Sequence, residues 1–233
     1  MDAHNEHAHE GVNYDGIVGP AVALGFAVFI FAISFGVLCV NAGGSVPKAM
    51  AMSLLVFTGA SQFSAVSVIA AGGTAVSAVV GALLLGSRNA IYGVAVAPWL
   101  PGSLKYRVAA AQFTIDETTG MTLVQNSPAR KKRAFWVTAA SICGFWNVGT
   151  LIGALVGNSF DTQKYGLDVA FPAAFVAMVA PLLATRKAQL AGIGGAVVCL
   201  ATTPFLPIGA PIVMSAIVAL VALVPTQRKT QNP

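Results

Sequence analysis

Two short stretches hold the residues best suited to chemistry. Thr58-Gly59-Ala60-Ser61-Gln62-Phe63 puts two hydroxyls, an amide and three small residues between Phe57 and Phe63, and Ser87-Arg88-Asn89 is followed by Tyr92. Both lie within apolar runs of membrane length, where a polar group needs either a partner or a water-filled cavity. Small residues with hydroxyls can break a helix and expose backbone N–H and C=O groups, and half-helix ends of this kind receive substrate carboxylates in transporters. The alternative is a continuous helix whose hydroxyls bond back to its own carbonyls. The pair reads as the floor of a translocation site.

Arg88 is the one basic residue inside an expected span, and it must pair with an acid or snorkel to water. Asp116 and Glu117 are the nearby acids in sequence that could enter the membrane, so an Arg88 pair with either is expected to act as a gate or proton-sensitive element. Snorkelling by Arg88, with the acids facing the cytoplasm, is the competing reading.

The elements that must position these residues follow from composition. Apolar residues make up 56% of the 233-residue chain and charged residues 9%, and the mean hydropathy is +0.77, values of an integral membrane protein. The expected fold is all-α and polytopic, with seven transmembrane helices at 17–42, 48–71, 75–99, 134–156, 169–185, 188–203 and 209–224. The second helix is expected to be broken. Residues 1–16 are expected to form a disordered acidic, histidine-bearing tail, 17–226 one transmembrane domain, and 227–233 a C-terminal tail. His4, His7 and His9 beside Glu6 and Glu10 offer at most weak metal ligation, and no metal site is assigned.

Segment 105–128 differs in kind. Its apolar runs are too short to cross, and an ionised carboxylate at a helix centre costs about 2.5–3.5 kcal/mol even on insertion scales, so adjacent Asp116 and Glu117 argue for a re-entrant or interfacial segment. Loop charge supports this count independently. With seven spans, eleven Lys and Arg residues fall on one side, Lys164 alone on the other, and Arg88 within a span. The positive-inside rule then places the N-terminus outside and the C-terminus in the cytoplasm. The basic residues lie in short gaps rather than in one patch, so no nucleic-acid partner is implied.

Gly149, Gly153 and Gly157 recur every four residues on one helical face, with Asn147 and Thr150 near that face just after Trp146. Small-xxx-small spacing lets helices approach closely, either within the bundle or against a second membrane subunit. Pro172, Pro181 and Pro211 imply kinks or breaks. Cys39, Cys143 and Cys199 lie in apolar runs without CxxC spacing and read as small buried residues. No nucleophile motif, metal-ligand motif or phosphate-binding loop is present, so no enzyme activity and no cofactor is expected.

The runs ISFGVLCVNAG, AMAMSLLVFTGASQF and LLLGSRNAIYGVAVAPWL, with the later IDE and WNVGTLIGALVG, resemble the AzlC family, the large subunits of bacterial branched-chain amino acid exporters. The resemblance covers nearly the whole chain after residue 16, and GASQF and R-x-x-x-Y-G are its most specific parts. It implies a seven-span inner-membrane subunit working with a small AzlD-type membrane subunit. It also implies ion-driven efflux of valine, leucine, isoleucine and often methionine. Gly59, Ser61, Gln62, Phe63, Arg88, Tyr92, Asp116 and Glu117 match the family pattern. Many members carry histidine where this chain has Asn89, which does not titrate near neutral pH, so coupling here is expected to use the carboxylates or another ion.

Overall fold

Apolar runs of this kind satisfy their backbone polar groups by forming helices, and the computed structural model is helical accordingly. It describes residues 16–157, 176, 180–206, 210, 211, 214 and 215, and no strand occurs among them. The fifth and seventh expected spans, both tails and Lys164 fall wholly or largely outside the described residues.

The order is α1 (Val18–Asn41), α2 (Val46–Leu55), α3 (Gly59–Ala70), α4 (Ala75–Gly86), α5 (Arg88–Val96), a 3-10 turn (Ala97–Trp99), α6 (Leu104–Gln112), α7 (Asp116–Leu123), α8 (Pro128–Val156), a 3-10 turn (Ala180–Leu183) and α9 (Arg186–Thr202). Among the described residues, Val18–Asn41, Ala75–Trp99 and Pro128–Val156 are long and apolar enough to cross a membrane. The 10 residues of α2 and the 12 of α3 rise about 15 and 18 Å, each about half a bilayer core. The 9 of α6 and 8 of α7 rise about 14 and 12 Å, so neither crosses by itself.

Several boundaries differ from those read in the sequence, each for a local reason. The basic run 130–133 lies within the first turns of α8, not in a loop before it. Pro128 suits the start of a helix because its missing N–H needs no partner there, and Ser127 accepts from the Arg130 N–H at 3.4 Å. The 75–99 span is interrupted at Ser87, whose hydroxyl donates to the Leu84 carbonyl at 2.6 Å and so meets its own hydrogen-bond need. The break in the second span lies at 56–58, at the N-terminal edge of the stretch in which the small residues suggested it.

The chain divides into two compact units, Met1–Val28 with Asn89–Phe145 and Phe29–Arg88 with Trp146–Pro233, so α1 and α8 each contribute to both. In the first, Val96, Leu100, Ala110 and Phe135 form a core beneath Tyr106, Phe113 and Trp136. Trp136 Nε1–H donates to the Tyr106 hydroxyl at 2.8 Å, and the Ser141 hydroxyl on α8 donates to the Ala21 carbonyl on α1 at 2.8 Å. The Lys131 ammonium lies 4.6 Å from the centroid of Trp99 and donates to the Leu123 carbonyl at the end of α7.

In the second unit, α1 and α8 touch backbone to backbone. A Cβ at Gly149 would sit 2.7 Å from both Ala32 Cβ and the Phe29 carbonyl, one at Gly153 would collide with the Ile33 carbonyl, and one at Gly157 would meet Val37 Cα at 3.1 Å. Gly36 reciprocates against Thr150 and Ala154. The glycine face therefore packs against α1 of the same chain. In the same unit α3 packs on α4, with Ala65, Val68 and Ala78 buried together.

Candidate functional site

The site forms where the second span breaks. Helix α2 closes on Val56, whose N–H bonds the Met52 carbonyl at 3.0 Å. Phe57 then takes φ +33°, the left-handed region, and is the one non-glycine residue to do so among the described residues. A bulky side chain there costs of order 1–3 kcal/mol and is held by its surroundings; Phe57 is buried. Thr58 is extended, and α3 begins at Gly59.

The first turn of a helix presents N–H groups with no acceptor inside it. Thr58, at the cap position, makes no side-chain bond to that turn, so the donors of Gly59, Ala60 and Ser61 keep their capacity for another acceptor. The helix dipole adds the equivalent of about half a positive charge at the same place. Ser61 is 2% exposed and its hydroxyl has no hydrogen-bond partner, an arrangement that normally costs stability. It faces Gly86 of α4, where an added Cβ would lie 3.3 Å from Ser61 Oγ. One turn on, Ser64 Oγ is likewise buried and unpartnered, and faces Gly81 at 3.1 Å by the same measure.

Gln62 is fully buried and its amide is engaged at both ends. Nε2 donates to the Met52 carbonyl at 2.8 Å, tying α3 to α2 across the break. Oε1 accepts from Trp146 Nε1–H at 3.1 Å. In this conformation Gln62 thus braces the break, and the buried side-chain polar atom of the stretch that remains unengaged is Ser61 Oγ.

Trp146 does more than donate. A Cβ on Gly59 would sit 3.0 Å from Trp146 Cη2, so a side chain there would press the indole back by a few tenths of an ångström. The ring stacks on Phe35 at 6.1 Å and meets Phe63 edge-on at 6.2 Å, and Phe35 and Phe63 are themselves 5.4 Å apart. Beside it, the Ser53 hydroxyl, fully buried on α2, reaches Asn147 Oδ1 at 2.9 Å and Thr150 Oγ1 at 3.4 Å.

The other expected residues are placed as follows. Arg88 opens α5, counted with the second unit, and is partly buried. Asn89 and Tyr92 follow on α5 in the first unit; the Asn89 Oδ1 atom is buried and unpartnered. Asp116 and Glu117 form the first turn of α7, where the helix dipole favours acids. The α6–α7 junction is secured by Thr118, whose Oγ1 accepts from the Ile115 N–H at 3.0 Å and donates to the Phe113 carbonyl at 2.7 Å.

Phe35, Ser53, Trp146 and Thr150 enter the site without having been assigned to it from the sequence. The available signal was the polar set Trp146-Asn147-x-x-Thr150 inside an apolar span, which there attached to the glycine face alone. Ser53 carried no signal, since a lone serine in an apolar helix usually bonds back to its own backbone.

No curated protein and no solved structure matches the chain. The family model described as AzlC protein matches residues 23–160, more than half of the chain and all of α1 to α8 except the start of α1 before Ala23. That match takes in the broken second span, its Trp146 brace and the glycine-packed α1–α8 pair, and the chain belongs to the AzlC family.

Proposed function

We propose that the chain is the large subunit of a secondary-active exporter of branched-chain amino acids, valine, leucine and isoleucine and often methionine. It works with a small AzlD-type subunit in the bacterial inner membrane, N-terminus outside and C-terminus in the cytoplasm. The observation that carries the reading is the uncapped start of α3 beside the buried, unpartnered Ser61 hydroxyl. Family membership supplies the transport class.

A substrate carboxylate is an acceptor of matching charge for the Gly59, Ala60 and Ser61 N–H groups and the Ser61 hydroxyl. Thr58, Phe63, Asn89 and Tyr92 complete the proposed binding set. Arg88 with Asp116 or Glu117 is the proposed coupling element. An apolar side-chain site separates substrates differing by one methylene by only about 1–3 kcal/mol, so several branched-chain amino acids are expected to share it. No catalytic step and no cofactor enters the cycle.

The test is leucine efflux from sealed proteoliposomes holding the chain with and without the small subunit, with pH and sodium gradients varied separately. Efflux that needs both subunits and follows one gradient supports the proposal, and Ser61→Ala should then raise the KM for leucine. Absence of efflux with both subunits present would favour a sensory or assembly subunit, and pumping that follows ATP would exclude secondary transport.

A further inference from the structure

One turn of α8 grips both halves of the broken helix. Asn147 and Thr150 meet Ser53 on α2, whereas Trp146 meets Gln62 on α3. The same Gln62 amide reaches back to the Met52 carbonyl, which already accepts the last N–H of α2. The joint between them is the strained Phe57. Ser61, the neighbour of Gln62, is left with its hydroxyl unpartnered and closed off from solvent at 2% exposure.

We propose that Trp146 is a positioning residue for the export site: through Gln62 it sets the angle of α3's first turn, and release of the Trp146–Gln62 bond presents that turn to substrate. The inference deepens the exporter reading and rests on it for the identity of the ligand, but not for the latch itself. The α2 side is held by a hydroxyl with two acceptors in reach, so it can exchange one for the other without losing its grip. On the α3 side a neutral indole–amide bond spans two helices, and the residue at the break already sits in an unfavourable backbone region. Latching by Trp146 also accords with the glycine at the start of α3: the indole that holds Gln62 lies against Gly59, where a side chain would crowd it.

The experiment uses the full chain with its small subunit in membranes, its native cysteines replaced and Ser61→Cys introduced as a reporter. The rate of alkylation by N-ethylmaleimide reads how often the first turn of α3 opens. Trp146→Phe keeps an aromatic ring against Phe35 and Phe63 but lacks the N–H; Gln62→Leu removes the acceptor. Each is expected to speed alkylation about tenfold, an opening cost lowered by about 1.4 kcal/mol. The double variant is expected to be no faster than Gln62→Leu alone, because that substitution already removes the Trp146 bond, together with the one to Met52. Asn147→Ala, on the α2 side, should stay within about twofold of the parent.

Equal rates in parent, Trp146→Phe and Gln62→Leu, all monodisperse on gel filtration, would overturn the latch. So would an Asn147→Ala rate matching that of Trp146→Phe, since general loosening would then account for both. Should one of the two latch variants fail to fold, the other decides. The labelling rate does not depend on what is carried: a latch that behaves as described with no leucine efflux sinks the substrate assignment alone.

Discussion

Alanine in place of Gly153 and in place of Gly144 is the same substitution on the same helix, and the two are expected to act in opposite directions. At Gly153 the three atoms nearest an added Cβ are the carbonyl oxygen, carbonyl carbon and Cα of Ile33, all backbone. Backbone cannot rotate aside as a side chain does, so α1 must move away from α8 along the whole contact that also includes Gly149, Gly157 and Gly36. Overpacking of this kind costs about 1–3 kcal/mol. Replacing glycine by alanine inside a helix returns about 1 kcal/mol, so Gly153→Ala is expected to destabilise by up to about 2 kcal/mol. At Gly144 nothing lies within 4 Å of an added Cβ, and the residue is exposed, so Gly144→Ala keeps the gain of about 1 kcal/mol undiminished. The assay is thermal unfolding of the purified protein in detergent, followed by the fraction that stays monodisperse after heating. Two alanine variants of equal stability would refute the close-approach account of α1 and α8, and so would a Gly153→Ala protein more stable than the parent.

Other substitutions probe the remaining joints. Thr118→Val removes the hydroxyl that serves both Ile115 N–H and the Phe113 carbonyl, and should destabilise by about 1–3 kcal/mol; Thr119→Val, next to it, removes a buried hydroxyl that has no partner and should be neutral or stabilising in the same unfolding assay. Arg88→Ala is expected to lower leucine efflux and to alter its pH profile. Efflux and pH dependence both unchanged would remove Arg88 from the coupling role. Gly59→Ala puts a Cβ 3.0 Å from Trp146 Cη2 and should lower the maximal efflux rate more than Gly144→Ala does, measured at equal protein in the proteoliposomes.

Hydropathy and polar spacing are local properties, and what depends on them could be read from the chain. The all-helical class follows from long apolar runs, and that no single helix crosses within 105–128 follows from runs too short to do so, whereas its division into α6 and α7 did not show in the sequence. A break in the second span was legible because small and polar residues interrupt it between Val56 and Gln62. The residue at which it breaks was not. That depends on Trp146, 84 positions from Gln62, which has a glycine beneath its ring and an amide at its N–H. Likewise the sequence showed that Gly149, Gly153 and Gly157 line one face, but α1 decides what lies on that face, because backbone contact is settled by which helix arrives there. Gln62 reads in sequence as a polar group open to a ligand; only packing reveals that both ends of its amide are already engaged, and that the Ser61 hydroxyl beside it is not. A residue's type states which bonds it can make, and the partner that uses them is chosen by the tertiary structure.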